Sequence, residues 1–128
     1  MNRLLAASLV ALSLGVACSS AEPTVGMTAD HSFDPESLSV AANQAVTFTN
    51  DSDESHTVTA YEDDLPQSSE YFSSGEFSAE DDARANVAQG LIKPGEEFSL
   101  TLEEPGTYKY FCIPHEGDGM VGAIVVEE

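Results

Sequence analysis

The chain has 128 residues, enough for one compact domain and too few for two of ordinary size. Lys and Arg number 4 against 23 Asp and Glu, a formal net charge of -19. That balance excludes nucleic acid as a partner, because phosphate binding needs a cationic surface.

In chain order, Met1-Asn2-Arg3 carries one positive charge and Leu4 to Ala17 is a mainly apolar stretch of fourteen residues. Residues 1–17 read as an export signal, too short to span a bilayer. One Arg rather than a pair points to the general secretion route. Leu14-Gly15-Val16-Ala17-Cys18 resembles a bacterial lipobox, with Gly15 where the pattern usually has Leu. Cys18 is thus the candidate lipid-attachment residue, and residues 18–24 a flexible spacer. Ordinary cleavage near Ala17 or Ala21 would instead discard Cys18 or leave it free. The expected location is outside the cytoplasm, periplasmic or on the outer face of the cell membrane, with a lipid anchor.

Residues 25–128 are expected to form one domain. Ser37-Leu38-Ser39-Val40, Ala45 to Thr49, His56 to Thr59 and Phe98 to Leu102 alternate polar with apolar residues, the period of half-buried strands. Thr107 to Phe111 is a further strand, and Gly122 to Val126 an apolar closing one. Asp34-Pro35, Ala42-Asn43, Lys93-Pro94-Gly95 and Glu104-Pro105-Gly106 mark turns between them. Short strands at this spacing predict an all-β sandwich or barrel of roughly 100 residues. Residues 61–90 are acidic, rich in Ser and weakly periodic. Ser78-Ala79-Glu80-Asp81 reads as a helix cap followed by first-turn acids, so a short helical excursion is predicted over 78–89, its helix running from Asp82 to Gln89 and ended by Gly90.

The chemistry is concentrated in Cys112-Ile113-Pro114-His115-Glu116-Gly117-Asp118-Gly119-Met120, a thiol, an imidazole and a thioether spaced C-x2-H-x4-M. Sulfur donors with imidazole select copper over hard cations, and two His with one Cys and a weak axial Met make the blue-copper donor set. The second His comes from elsewhere. His56 follows the polar loop 50–55 and opens a strand that can aim it across the end of the sandwich. His31, between Asp30 and Ser32, reads as a solvated surface residue. The predicted ligands to one copper ion are therefore His56, Cys112, His115 and Met120. With all four positions filled, no place remains for substrate, which argues against an enzyme. A disulfide between Cys112 and Cys18 would defeat this reading outright.

Gly106 to Gly122 resembles the copper loop of the plastocyanin-like cupredoxins, nearest to halocyanin and plastocyanin. Phe33 to Leu38 and Val46 to Asn50 are similar to that family's early strands, and His56-Thr57-Val58-Thr59 to the strand carrying its first His ligand. The resemblance covers residues 25–128. It implies a Greek-key β-sandwich, a monomer, and one-electron transfer between Cu(I) and Cu(II) among membrane-associated redox partners. It also implies electron passage at His115 through an apolar patch, with Gly117, Gly119 and Pro35 as candidates to line it. Plant members usually place Asn after the first His; Thr57 stands here, with a hydroxyl that can still hydrogen-bond. A competing reading is copper delivery or storage at the cell envelope, which favours exchangeable Met and His sites without a buried Cys. A second is a metal-free immunoglobulin-like adhesion module. The acids, spread along the whole chain, resemble the composition of salt-loving organisms, whose molar salt shortens electrostatic range to about 3 Å. An acidic patch docking a basic redox partner is the alternative.

Overall fold

The computed structural model describes residues 22–128; the predicted signal 1–17 and Cys18 lie outside the described residues. Eight strands run β1 Thr24–Met27, β2 Phe33–Asp34, β3 Ser37–Ala41, β4 Ala45–Asn50, β5 Thr59–Ala60, β6 Glu97–Thr101, β7 Gly106–Phe111 and β8 Val121–Glu127. Between β5 and β6 lie two short helices, α1 Glu80–Ala85 and α2 Val87–Gly90. Single 3-10 segments cover Glu62–Asp64 and Ile113–Asp118. No described helix is long and apolar enough to cross a membrane.

The strands form two four-stranded sheets, ordered β2-β1-β4-β6 and β3-β8-β7-β5. The pairs β1/β4 and β3/β8 are parallel and the rest antiparallel. From β2 to β7 the chain changes sheet at every step, so sequential strands face each other across the core. This is the β-sandwich the alternation predicts. Period-two burial drives it: Val46, Phe48 and Asn50 of β4 and Gly122, Ile124 and Val126 of β8 point inward, with their neighbours only partly buried. Phe33, Phe48 and Tyr110 meet edge to face at the centre, with ring centroids 4.8 to 6.2 Å apart. Such pairs add about 0.5–1.5 kcal/mol each beyond burial.

Three sequence expectations need correction. β1 and β2 precede the first predicted strand; four and two residues are too short to display a period, and pairing with β4 is what makes β1 a strand. His56 is not inside a strand: it makes one isolated antiparallel bridge to Ile92, and pairing with β7 begins only at Thr59. The helix starts earlier than predicted and is broken. Its N-cap is Ala79 rather than Ser78, with no side-chain cap, and Asn86 (φ -130, ψ 49) separates α1 from α2. The Asn86 side chain bonds back to the Asp82 carbonyl at 2.9 Å, a local hydrogen bond that competes with helical continuation.

Two tyrosines on β7 are buried with opposite outcomes. Tyr108 donates to the Glu104 carbonyl at 2.6 Å, a link back along the chain of the tyrosine-corner kind. The Tyr110 hydroxyl is buried without a hydrogen-bond partner among the described residues, and a Cβ built at Gly122 would stand 2.6 Å from it. Glycine at 122 is therefore required by the Tyr110 hydroxyl itself. An unpaired buried hydroxyl costs about 1–3 kcal/mol. Tyr110→Phe is expected to raise stability by about 1 kcal/mol, an increase of several degrees in Tm by thermal unfolding; a lowered Tm would show that the hydroxyl has a partner after all.

Candidate metal centre

The loop from Asn50 to His56 is organised by one buried amide. Asn50 Nδ2 donates to the carbonyls of Glu54 (2.7 Å) and Ile92 (2.8 Å), and its Oδ1 accepts from the Ser52 N–H (3.1 Å) and Ser52 Oγ (2.7 Å). His56 is pinned by reciprocal backbone bonds with Ile92, at 3.1 and 2.7 Å. Its Nε2 lies 2.9 Å from Ser52 Oγ. The single Ser52 hydroxyl proton goes to Asn50, so Ser52 accepts from His56 and the imidazole proton sits on Nε2. Nδ1 is left with a free lone pair, aimed into the site.

The second half comes from the end of β7 and the segment joining it to β8. Cys112 N–H bonds to the Met120 carbonyl at 3.0 Å, which closes the loop at its base. Inside it, Pro114 sits in the first turn of the 3-10 segment, and Gly119 (φ 85, ψ 20) reverses the chain so that Met120 N–H reaches the His115 carbonyl at 3.2 Å. The left-handed position that requires glycine is thus Gly119, while Gly117 needs none.

The three donor atoms expected from His56, Cys112 and His115 converge. His56 Nδ1 and His115 Nδ1 are 3.1 Å apart, and Cys112 Sγ stands 3.8 and 3.4 Å from them. Ligands at about 2.0–2.3 Å around one ion are separated by roughly 3.5 Å, so the spacing fits a shared cation. Two Nδ1 atoms facing each other next to sulfur is an arrangement that a cation resolves. His56, Cys112 and Met120 are fully buried, and the His115 side chain keeps 14% exposure. Met120 lies in the same core cluster as Cys112, tied to it through the backbone bond above.

Burial pushes the Cys112 thiol up, against the Thr57 and His115 N–H groups that point at it. A thiol so placed ionises when a cation supplies the opposing charge. Burial and the neighbouring His115 hold His56 below the usual imidazole range, which keeps it neutral and able to ligate. Thr57 ties the two loops: its N–H meets Cys112 Sγ at 3.4 Å and its hydroxyl accepts from the Ile113 N–H at 2.8 Å. The hydroxyl expected to hydrogen-bond there does so. Thr57→Val keeps the shape but removes that acceptor; copper retention is expected to fall about tenfold, the lower end of what lost outer partners cost. Copper release to a chelator checks this, and an unchanged rate would show that the tie does not hold the site.

His31 is not the solvated bystander the sequence suggested. Its ring stacks on His115 with centroids 3.7 Å apart and planes 17° from parallel. Asp118 (2.9 Å from Nδ1) and Glu54 (2.6 Å from Nε2) hold it from both ends, and these two carboxylates raise its basicity. The outward side of His115 therefore carries a polar rim of His31, Glu54 and Asp118. The expected apolar patch is not what borders it on this side. His31, Glu54 and His115 also bring donor atoms within 4.8 Å of one another. Stacked rings cannot both direct in-plane lone pairs at one ion, so this second group is no metal site. Nothing in the sequence joined positions 31 and 54 to the loop that carries Asp118 and His115; an acidic flank at Asp30-His31 was the only hint.

Residues 21–127 match copper binding proteins of the plastocyanin/azurin family. The chain is 38% identical over 96 residues to plastocyanin of Sambucus nigra, covering 73% of this chain and 86% of that one. It is 38% identical over 94 residues to the chloroplastic plastocyanin of Hordeum vulgare, covering 73% of this chain but only 54% of that longer protein. Among solved structures, a methionine-to-alanine variant of amicyanin in its Cu(I) form aligns with a TM-score of 0.59 and 26% identity, covering 82% of this chain and 81% of that one.

Proposed function

Because the chain belongs to the plastocyanin/azurin family of copper-binding proteins, with one copper ion as its cofactor, we propose that it carries single electrons between redox partners outside the cytoplasm. Copper-based electron transfer is the general function of the family. The observation that supports it most here is the convergence of His56 Nδ1, His115 Nδ1 and Cys112 Sγ in a buried site. His56, Cys112 and His115 would hold the ion, with Met120 as the weak axial donor. Copper when bound supplies a one-electron exchange between its two oxidation states.

The residues do the rest. Ser52 fixes the His56 tautomer, and Thr57 and the Met120 carbonyl fix Cys112, so the donors stay in place in either charge state. Burial excludes water from sulfur. His115 is the ligand nearest solvent and the place where an electron crosses, beneath His31. The protein acts as a carrier rather than an enzyme. Export with a lipid anchor at Cys18 fits the composition of residues 1–24, and the net charge of -19 suits a basic partner or a high-salt medium.

A copper-loaded sample taken through reduction and reoxidation tests the proposal. Expected are reversible bleaching and return of the blue colour, one electron per copper, with the metal retained. Release of copper to a chelator on reduction would favour delivery or storage and overturn electron transfer.

A further inference from the structure

We infer that Arg84, on α1, is a positioning residue for the copper loop, and that the acidic excursion 61–90 buttresses the site through it. The inference rests on the ligand assignment proposed above. The Arg84 guanidinium forks onto Glu116, with both nitrogens 3.0 Å from its two carboxylate oxygens. Its Nε bonds to Glu80 at 2.8 Å, one turn back on the same helix. Its Cζ lies over the Phe111 ring, 4.3 Å from the ring centre. Tyr61 completes the grip: its hydroxyl donates to Glu116 Oε2 at 2.8 Å, and its ring stacks on Phe111 at 4.3 Å.

Glu116 follows His115 and Phe111 precedes Cys112, so the clamp holds the neighbours of two ligands at once. Apart from this clamp, the Thr57 bond to Ile113 and the His31 contacts with His115 and Asp118, the segment Ile113–Asp118 is held by short-range turn hydrogen bonds, such as Gly119 N–H to the Glu116 carbonyl at 3.0 Å. Phe111 also breaks the inward alternation of β7: Tyr110, Phe111 and Cys112 are consecutive and all buried. Phe111 is covered on the outer side of the sheet by Arg84 and Tyr61. A planar, forked donor is what this geometry uses; a point charge cannot serve both carboxylate oxygens and the ring. Arg84 is one of three Lys and Arg residues in the described chain, set among 23 acids. Two of its partners, Glu116 and Phe111, lie in or directly beside the one loop that carries Cys112, His115 and Met120.

Arg84→Gln and Arg84→Lys test this. In the metal-free protein, amide hydrogen exchange at His115 and Gly119 is expected to quicken in Arg84→Gln, while exchange in β4 and β8 stays as in wild type. In the loaded protein, copper release to a chelator is expected to rise about tenfold, with a shifted reduction potential. Arg84→Lys keeps the charge without the fork and should fall between. Wild-type exchange and release in Arg84→Gln would overturn the inference, as would Arg84→Lys indistinguishable from wild type. If Arg84→Gln does not fold, Arg84→Lys alone decides. A wild-type protein that shows no blue centre would overturn the electron-transfer reading instead, and the metal-free exchange comparison would still decide the clamp.

Discussion

Cys112→Ser is expected to abolish the blue colour and to weaken copper binding more than any other single change. The intense visible band of such a centre needs a thiolate donating to Cu(II), and a hydroxyl at this position is a harder, protonated donor. The Thr57 and His115 N–H groups that point at sulfur would face an oxygen on the same short side chain. Losing an outer partner costs about 10–100-fold in metal affinity, and losing a ligand costs more. The fold should persist, because Cys112 forms no disulfide among the described residues. Optical and paramagnetic resonance spectra during copper titration, alongside far-ultraviolet circular dichroism, separate the two effects. A blue Cys112→Ser protein would rule out sulfur at this position as the ligand.

Phe48→Ala is expected to have the largest effect on stability. Phe48 has no exposed surface and packs edge-on to Tyr110 at 5.2 Å and to Phe33 at 6.2 Å, so it joins the two sheets at their centre. Removing a buried Phe side chain costs about 3–5 kcal/mol in transfer and cavity terms. A domain of this size has roughly 5–15 kcal/mol in total, so the metal-free variant should lose about a fifth of its margin at the least. Denaturant unfolding of the metal-free form measures this directly. A loss below about 1 kcal/mol would mean that the core closes over the gap more readily than close packing allows.

Legibility in the sequence followed the range of the interactions. β3, β4, β6, β7 and β8 carry enough alternating residues to announce themselves, and each lies where the pattern indicates, within a residue or two at the ends. β1 and β2 do not, because they exist through pairing with each other and with β4 rather than through their own period. His56, Cys112 and His115 were legible because a donor set has a chemical signature independent of conformation. Their supports were harder to see. Ser52 and Asn50 look like ordinary polar loop residues until hydrogen bonding shows that one sets a tautomer and the other holds the loop.

His31 and Arg84 mark the limit most clearly. Each reaches the copper loop across a long separation in sequence, His31 to Asp118 and Arg84 to Glu116. Single polar residues carry no periodic signal, and no local pattern says which distant acid they will meet. For the same reason the excursion 61–90 reads from sequence only as an acidic, weakly periodic segment with a short helix, and its contacts with the copper loop do not show. Its order comes from tertiary contacts, including the Tyr61 and Arg84 contacts with Phe111 and the mutual bonds between Glu62 and Glu80.

Copper K-edge X-ray absorption on the protein loaded with one equivalent of copper measures the ligand shell directly. Two imidazole nitrogens and one short thiolate sulfur are predicted, the nitrogen count dropping in His56→Ala and the sulfur vanishing in Cys112→Ser. A shell built only of nitrogen and oxygen in the wild-type protein would contradict the assignment of His56, Cys112 and His115 to a common ion.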